Sequence, residues 1–190
     1  MKTLKLSHTI ISLWKEGRYE EAIGIYIGKP FVATPQMELG KLYDKKWNDY
    51  ILKNNCLPDE LGGCSLNQPQ VQKKYQVILP LSDEYEILLR GVPDLTDEDT
   101  IIDFKCGRTE SNGYVGKMQL DYYALFIPTA TTGIYRCFNP YTNKLTIGVK
   151  FLSEENRENA INEIVTYGGE ILQYLLANKL FIDYKIEETK

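Results

Sequence analysis

The hydrophobic residues of this chain change period along its length, and this change constrains the fold more than any other feature. From about residue 8 to residue 54 they recur at helical spacing, with Thr34 and Pro35 as the N-cap and first residue of a long helix. Over Tyr75–Lys105 they follow strand patterns, and the chain then returns to helix, two strands and a final helix. This order predicts one α/β domain over residues 1–190, with a mixed central β-sheet flanked by helices.

The predicted elements can be placed approximately. The strands cover residues 75–79, 86–92, 100–105, 132–138 and 144–151. The helices lie within residues 8–27, 35–54 and 116–126 and after Ser153. The polar segment Thr96–Asp99 is predicted to be the turn of a hairpin between the second and third strands, and Cys56–Gln72 an irregular loop.

Composition excludes several classes of protein. Hydrophobic residues make up 43% of the chain, but no apolar run approaches the roughly 20 residues of a membrane span. Residues 1–6 lack the apolar stretch of a signal peptide, so a soluble cytoplasmic protein is expected, with the four cysteines as reduced thiols. The net charge of −4 argues against a protein that binds nucleic acid over its whole surface. It does not argue against an enzyme that contacts a few phosphates.

Two aspartates are placed symmetrically about the predicted hairpin turn. Asp94 and Asp103 are equidistant from the bond between Glu98 and Asp99. If that bond is the centre of the turn, the two carboxylates face each other, with Cβ atoms about 4.5–5.5 Å apart. Such carboxylates repel each other unless one is protonated or a cation lies between them. A hard divalent cation such as Mg²⁺ suits this arrangement.

A lysine shares the face of the strand that carries the second aspartate. Lys105 lies two residues after Asp103, so both side chains project to the same side, while Ile102 and Phe104 take the opposite, core-facing side. A lysine beside a metal-bound water can orient it and offset charge during phosphodiester hydrolysis. The alternative interpretation is an acidic turn with a surface salt bridge.

Three sequence blocks resemble the motifs of a known family. The blocks are Gly91-Val92-Pro93-Asp94, Asp103-Phe104-Lys105-Cys106-Gly107 and Gln119-Leu120-Asp121-Tyr122-Tyr123. They are similar to the G-x-x-D, D-x-K-x-G and Q-x-x-x-Y motifs of RecB-like nucleases in the PD-(D/E)XK superfamily. Gln119 and Tyr123 are one helical turn apart and share a face.

The resemblance implies a restriction-endonuclease-like core and a metal-dependent nuclease. Asp94 and Asp103, with the carbonyl of Phe104, would hold Mg²⁺ or Mn²⁺. Lys105 would orient the attacking water. Gln119 and Tyr123 would position the lysine and the nucleic-acid strand.

A weaker resemblance extends upstream. Gly40-Lys41-Leu42-Tyr43-Asp44 is similar to a G-x-x-x-H block of the family, whose histidine often binds metal. Asp44 stands in the place of that histidine, and an aspartate there favours hard Mg²⁺. Glu38 on the same helix is the alternative ligand, and a purely solvated Asp44 stays open. His8, the only histidine, is expected to be structural.

The implied activity is that of a deoxyribonuclease, an exonuclease or DNA-end-processing enzyme of repair, recombination or phage replication. Arg108 and Lys117 flank the motifs and could hold phosphates, although a solvated surface explains them equally well. The alternatives are a catalytically idle nuclease fold that serves in DNA binding or assembly, and a nuclease acting on RNA or on a defined duplex site. Single- or double-stranded DNA is the expected partner, with a homo-oligomer or a recombination or replication protein also considered.

Overall fold

The structure, a computed structural model, describes residues 1–30 and 32–185, and the chain falls into two compact units. The first combines the described parts of Met1–Phe31 and Glu155–Lys190 with Tyr75–Gly91. The second combines Val32–Lys74 with Val92–Glu154. Each unit has its own mixed sheet, so the predicted mixed α/β architecture is confirmed, with the strands divided between two sheets. A single domain over residues 1–190 stays a prediction.

The elements follow one another in an α/β order. The strands are β1 (Lys2–Ser7), β2 (Gln70–Val71), β3 (Tyr75–Pro80), β4 (Tyr85–Gly91), β5 (Leu95–Asp97), β6 (Thr100–Cys106), β7 (Thr132–Asn139) and β8 (Lys144–Phe151). The helices are α1 (His8–Lys15), α2 (Tyr19–Tyr26), α3 (Pro35–Asn54), α4 (Asn112–Val115), α5 (Gln119–Phe126) and α6 (Glu154–Ala177), with a 3₁₀ turn at Asp59–Leu61. No helix in the described parts of the chain has the length and apolar character that a membrane span requires.

The sheet of the first unit has the strand order β1-β4-β3. β1 runs parallel to β4, with Leu4 opposite Ile87, and β3 runs antiparallel to β4. Helix α6 packs closely on this sheet at Gly168, where a Cβ atom would lie 2.5 Å from Cδ1 of Ile87. Strand β1 was not predicted, and β4 pairs with β1 and β3 rather than forming the predicted hairpin with β6.

The sheet of the second unit has the strand order β2-β5-β6-β7-β8. β6 and β7 are parallel, and the other neighbours are antiparallel. The hairpin partner of β6 is β5, which contains Thr96 and Asp97. The predicted four-residue turn is therefore corrected to two residues, Glu98 and Asp99, and Glu98 has a left-handed φ of 52°.

Helix α3 covers one side of this sheet. Its predicted cap is confirmed, since the Thr34 hydroxyl accepts a hydrogen bond from the Met37 N–H at 3.3 Å. Its Trp47 is fully buried against Phe104 of β6. The predicted irregular loop that follows contributes to this core, because Leu57, Leu61 and Leu66 are buried there. On the other side, the helix predicted from residue 116 starts at Gln119, as α5, after the short α4.

Candidate active site

Strand β6 presents two chemically different faces. Ile102 and Phe104 lie in the apolar core with Trp47, as the alternation of the strand predicts. The intervening residues, Asp103 and Lys105, lie on the opposite face, where Ile101 packs against α5. The motif residues are therefore held by a central strand with neighbours on both sides, which fixes their backbone firmly.

The hairpin register places the two aspartates opposite each other. Leu95 pairs with Ile102, so the next pair along the ladder is Asp94 and Asp103. Strand β5 begins at Leu95, so the backbone hydrogen bonds between β5 and β6 end there. Beyond that point the Asp94 carboxylate accepts a hydrogen bond from the Phe104 N–H, at 2.8 Å. Burial raises the pKa of Asp94 well above its ordinary value, and the Asp103 carboxylate adds to this, while Lys105 acts in the opposite direction.

Asp103 is the most enclosed acid of this group, with a side chain only 2% exposed. Its Oδ1 accepts a hydrogen bond from Nε2 of Gln119 at 2.9 Å. Its Oδ2 lies 2.6 Å from Nζ of Lys105, an ion-pair distance, but accepts no hydrogen bond of ordinary angular geometry within the described residues. Burial raises the pKa of Asp103, and Lys105 offsets part of that rise.

Lys105 supplies the positive charge of the cluster. Burial alone would lower the pKa of Lys105, but the carboxylates of Asp103 and Asp94 outweigh it and raise that pKa above its ordinary value. The lysine therefore stays charged at neutral pH. Burial is the main reason why the pKa values of both Asp94 and Asp103 are raised, and the single lysine offsets only part of that rise.

Gln119 and Tyr123 form a hydrogen-bonded chain beside the aspartates. Gln119 Nε2 donates to Asp103 and also to the Tyr123 hydroxyl, at 3.0 Å. The Tyr123 hydroxyl donates in turn to the carbonyl oxygen of Val92, at 3.3 Å. This chain ties the start of α5 to β6 and to the segment that carries Asp94. The structure thus brings together five predicted residues: Asp94, Asp103, Lys105, Gln119 and Tyr123.

The two predicted candidates for a further metal ligand differ in their surroundings. Asp44 is half-buried, and burial raises its pKa to about 6, with Lys105 lowering it and Asp103 raising it. It therefore lies within electrostatic reach of the cluster. Glu38 is exposed and forms an ion pair with Lys41 at 2.8 Å. This contrast favours Asp44 over Glu38.

The two predicted phosphate-binding residues lie on aromatic rings. Cζ of Arg108 is 5.0 Å from the ring centroid of Tyr141, and Nζ of Lys117 is 5.3 Å from that of Tyr114. Nζ of Lys105 is 5.7 Å from the same Tyr114 ring. Lys117 is thus near the cluster, and Tyr114, which was not singled out from the sequence, connects it to Lys105.

A buried ion pair near the cluster was also missed from the sequence. Asp121 of α5 is fully buried and pairs with Lys150 of β8. Lys150 also donates to the carbonyl oxygen of Lys117, at 3.3 Å. Lys150 therefore binds residues that precede and follow Gln119 in the chain. No local signal could have revealed this pair, since its members are 29 residues apart in the chain.

The donor set fits a hard divalent cation. Asp94 and Asp103 are opposed, buried carboxyl groups, and burial raises the pKa of each. Oxygen ligands of this kind suit Mg²⁺ and Mn²⁺. Within residues 1–30 and 32–185, no three His, Cys, Asp or Glu side chains converge closely enough to enclose an ion. The Phe104 carbonyl and Asp44 stay predictions as further ligands.

Comparison with solved structures identifies the fold. The alkaline exonuclease LHK-Exo from Laribacter hongkongensis matches with a TM-score of 0.59 at 10% identity, over 92% of this chain and 91% of that chain. A phage related exonuclease from Haemophilus somnus matches with a TM-score of 0.52 at 10% identity, over 90% and 93%. The chain has the fold of these exonuclease structures, consistent with the predicted PD-(D/E)XK nuclease fold.

The similarity between this chain and these exonucleases lies in the structure and not in the overall sequence. LHK-Exo in complex with dAMP also matches, with a TM-score of 0.55 at 10% identity, over 92% of this chain and 91% of that chain. No protein-family model matches the chain, and no curated protein matches its sequence. The motif resemblance is therefore confined to short blocks around the cluster.

Proposed function

We propose that this chain is a Mg²⁺- or Mn²⁺-dependent deoxyribonuclease. The observation that carries the proposal is the buried cluster in which Asp103 pairs with Lys105 and accepts from Gln119, while Asp94 accepts from the Phe104 N–H. Two acids and a lysine on one face of a central sheet, held by a hydrogen-bonded chain, suit metal-assisted hydrolysis of a phosphodiester.

The acids provide the site for the cation. Asp94, Asp103 and the Phe104 carbonyl would hold it, with Asp44 as a further ligand. When bound, the cation would supply a Lewis acid for the phosphate and lower the pKa of a bound water. It would also offset the charge repulsion between Asp94 and Asp103.

Lys105 would act on the attacking water. Its ammonium group, charged at neutral pH because of Asp103 and Asp94, can hold that water in line with the phosphorus atom. The water oxygen would bond to phosphorus as the water gives up a proton to solvent, and one ester P–O bond would break as the leaving oxygen takes up a proton from solvent. The products would be a phosphate monoester and a hydroxyl group. The lysine also offsets the negative charge that develops on the phosphate oxygens.

Gln119 and Tyr123 would be positioning residues. Gln119 fixes Oδ1 of Asp103, which leaves Oδ2 turned toward Lys105. The Tyr123 hydroxyl anchors Gln119 to the backbone at Val92. Preorganisation of this kind reduces the reorganisation that the reaction requires.

We further propose an exonuclease or DNA-end-processing enzyme, acting in repair, recombination or phage replication. The support is the naming of the similar structures as exonucleases, one of them in complex with dAMP. Because one fold hosts many functions, the reaction class is argued from the site residues and only the finer role from the similar structures. Arg108 and Lys117 are the proposed phosphate contacts.

A digestion panel tests the function. Linear and circular DNA, single- and double-stranded, and an RNA strand are incubated with the protein in Mg²⁺ or Mn²⁺. We expect linear DNA to shorten while circular DNA stays intact. Asp103→Asn should abolish cleavage. Asp99→Asn, an exposed acid at the hairpin turn, should cut like the wild type.

The panel also decides between the alternatives. Cleavage of circular DNA would indicate an endonuclease, and cleavage of RNA alone would change the substrate. A wild type that binds DNA yet cuts nothing in the panel would make the chain a binding or assembly module. Near-wild-type cleavage by Asp103→Asn would show that the site is elsewhere.

A further inference from the structure

We propose that strand β8 is a dimerisation surface, on which a second copy of this chain adds its own β8 in antiparallel orientation. The inference goes beyond the proposed nuclease function and does not depend on it. It rests on three features of β8: an exposed apolar face, backbone groups that point away from the sheet, and a sequence that can pair with itself without opposing like charges.

One face of β8 is apolar and largely exposed. Alternate residues of a strand share a face, and on this face Ile147, Val149 and Phe151 are 48%, 56% and 81% exposed. Leu145, at the start of the same face, packs against the core cluster that contains Trp47. The apolar side of the sheet therefore extends from the core onto an exposed strand. Contiguous exposed apolar side chains of this kind mark interaction surfaces.

The same residues direct their backbone groups away from the sheet. β8 is the last strand of its sheet, with β7 as its neighbour. The Leu152 N–H donates to the carbonyl oxygen of Thr131 at 2.9 Å, which places the hydrogen-bonded pairs of this ladder at the even-numbered residues of β8. The N–H and C=O groups of the odd-numbered residues, from Leu145 to Phe151, therefore point outward. A strand edge of this kind can pair with a strand of another chain.

The two lysines of β8 leave this edge open. Charged side chains on an edge strand usually oppose pairing with another chain. Here Lys150 pairs with the buried Asp121, and Lys144 pairs with Glu110 at 2.7 Å. Both lysines are even-numbered, so they lie on the face opposite to the apolar one. Their charges are balanced within the chain and lie away from the apolar side chains.

An antiparallel pair of β8 strands has one register that uses the whole apolar face. In this register Gly148 lies opposite Gly148 of the second copy. Ile147 then faces the second copy's Val149, and Leu145 faces its Phe151. These odd-numbered residues form the hydrogen-bonded pairs, as their outward backbone groups require. Apolar pairs that face each other across two strands stabilise the pairing.

The neighbouring registers are less favourable. Pairing centred on Ile147 would place Lys144 opposite the second copy's Lys150, and like charges in direct opposition are destabilising. Pairing centred on Val149 would place Leu145 opposite Ser153, which lies beyond the end of β8. The register centred on Gly148 avoids both problems, so the charges and the length of the strand select it.

This pairing gives a closed dimer. Each copy uses the same surface, as a two-fold interface requires. The strand at the other end of the sheet, β2, has only two residues and offers little edge to a third chain. Opposed residues of an antiparallel pair project to the same face. The clusters of Asp103 and Lys105 from the two copies would therefore lie on one face of the combined sheet.

The oligomeric state of the full chain tests the proposal. Sedimentation equilibrium over a range of protein concentrations should show a dimer. Val149→Lys places a charge on the apolar face of each copy and should weaken dimerisation by about tenfold or more. Ile78→Lys is the matched control, because Ile78 is 47% exposed on β3, an end strand of the other sheet. It should dimerise like the wild type, and both variants should keep the wild-type circular dichroism spectrum.

Disulfide crosslinking tests the register. Opposed residues of a hydrogen-bonded antiparallel pair have Cα atoms about 5.5 Å apart, which is within the range of a disulfide. Chains with Ile147→Cys, mixed with chains that carry Val149→Cys, should therefore form a crosslinked dimer on oxidation. Neither variant alone should crosslink more than the wild type, whose own cysteines give the background.

The same measurements can contradict the proposal. A wild type that stays monomeric or forms a larger assembly would refute the closed dimer. Val149→Lys that dimerises like the wild type, or Ile78→Lys that dissociates equally, would show that β8 is not the interface. Crosslinking of Ile147→Cys alone or of Val149→Cys alone would refute the register, since each residue would then face its own copy. None of these results depends on DNA cleavage, so failure of the proposed nuclease function would be distinguishable.

Discussion

Replacing Lys105 by alanine should destabilise the metal-free protein by an amount that the geometry allows us to estimate. Nζ of Lys105 lies 2.6 Å from Oδ2 of Asp103, whose side chain is 2% exposed. Breaking a buried ion pair typically costs about 3–5 kcal/mol. Because the Lys105 side chain is 25% exposed, we expect the free energy of unfolding of Lys105→Ala to fall by less, about 2–3 kcal/mol at pH 8.

The loss should depend on pH. Lys105 lowers the pKa of Asp103, so its removal leaves that pKa further above the value of an unfolded chain. A carboxyl group with a raised folded-state pKa binds a proton on folding, and its stabilising contribution is lost as the pH rises through that pKa. Once the pH falls below that raised pKa, the protonated carboxyl no longer needs the lysine. We therefore expect a loss of only about 1 kcal/mol there.

Urea unfolding of the metal-free protein at pH 5 and pH 8 measures this difference. Lys144→Ala is the matched control, because its pair with Glu110 is exposed on both sides and should contribute less than about 1 kcal/mol at either pH. In Mg²⁺, Lys105→Ala should cleave DNA on the order of 10²–10³ times more slowly, with DNA binding in Ca²⁺ retained. An equal loss of stability at both pH values, or unchanged cleavage, would refute the reasoning.

Two further predictions concern residues around the cluster. Asp44→Asn should raise the Mg²⁺ concentration needed for half-maximal cleavage, and an unchanged titration would point to Glu38. The pKa of Asp44 is raised to about 6, so its contribution to the free energy of unfolding is lost as the pH rises from 4 to 6. Between these two pH values, the free energy of urea unfolding without metal should therefore fall by about 1 kcal/mol less in Asp44→Asn than in the wild type. Lys150→Met should lower unfolding stability by about 3–5 kcal/mol, because Asp121 is left buried without its cation. The double variant with Asp121→Leu should recover most of that loss; no recovery would mean that the pair is not the cause.

The geometry of the hairpin could be predicted from the sequence because it is local. The acidic turn and the period-two pattern of β6 place Asp94 opposite Asp103, and the observed pairing of Leu95 with Ile102 has that register. Lys105 could be selected for the same reason, since strand spacing places it on the face of Asp103. Gln119 was selected by the resemblance to the Q-x-x-x-Y motif. Their roles in catalysis stay predictions.

The features that the sequence did not reveal depend on distant partners. β1 is six residues long and pairs in parallel with β4, about 80 residues further along the chain. Parallel pairing leaves no turn signal, so the short segment Lys2–Ser7 gives no sign of its partner. The Cys56–Gln72 segment looked irregular because of its glycines and prolines, yet Leu57 and Leu61 anchor it in the core. These leucines are buried because they pack with residues of α3, and the local sequence pattern could not predict that contact.

The cluster encloses two acids beside a single lysine. Burial raises the pKa values of Asp94 and Asp103, and Lys105 offsets only part of that rise. A cluster that served only to stabilise the fold would be expected to balance its charges or to replace them with apolar groups. Opposed buried carboxyl groups with one lysine are instead what the proposed cation site would use, since oxygen ligands of this kind suit a hard divalent cation.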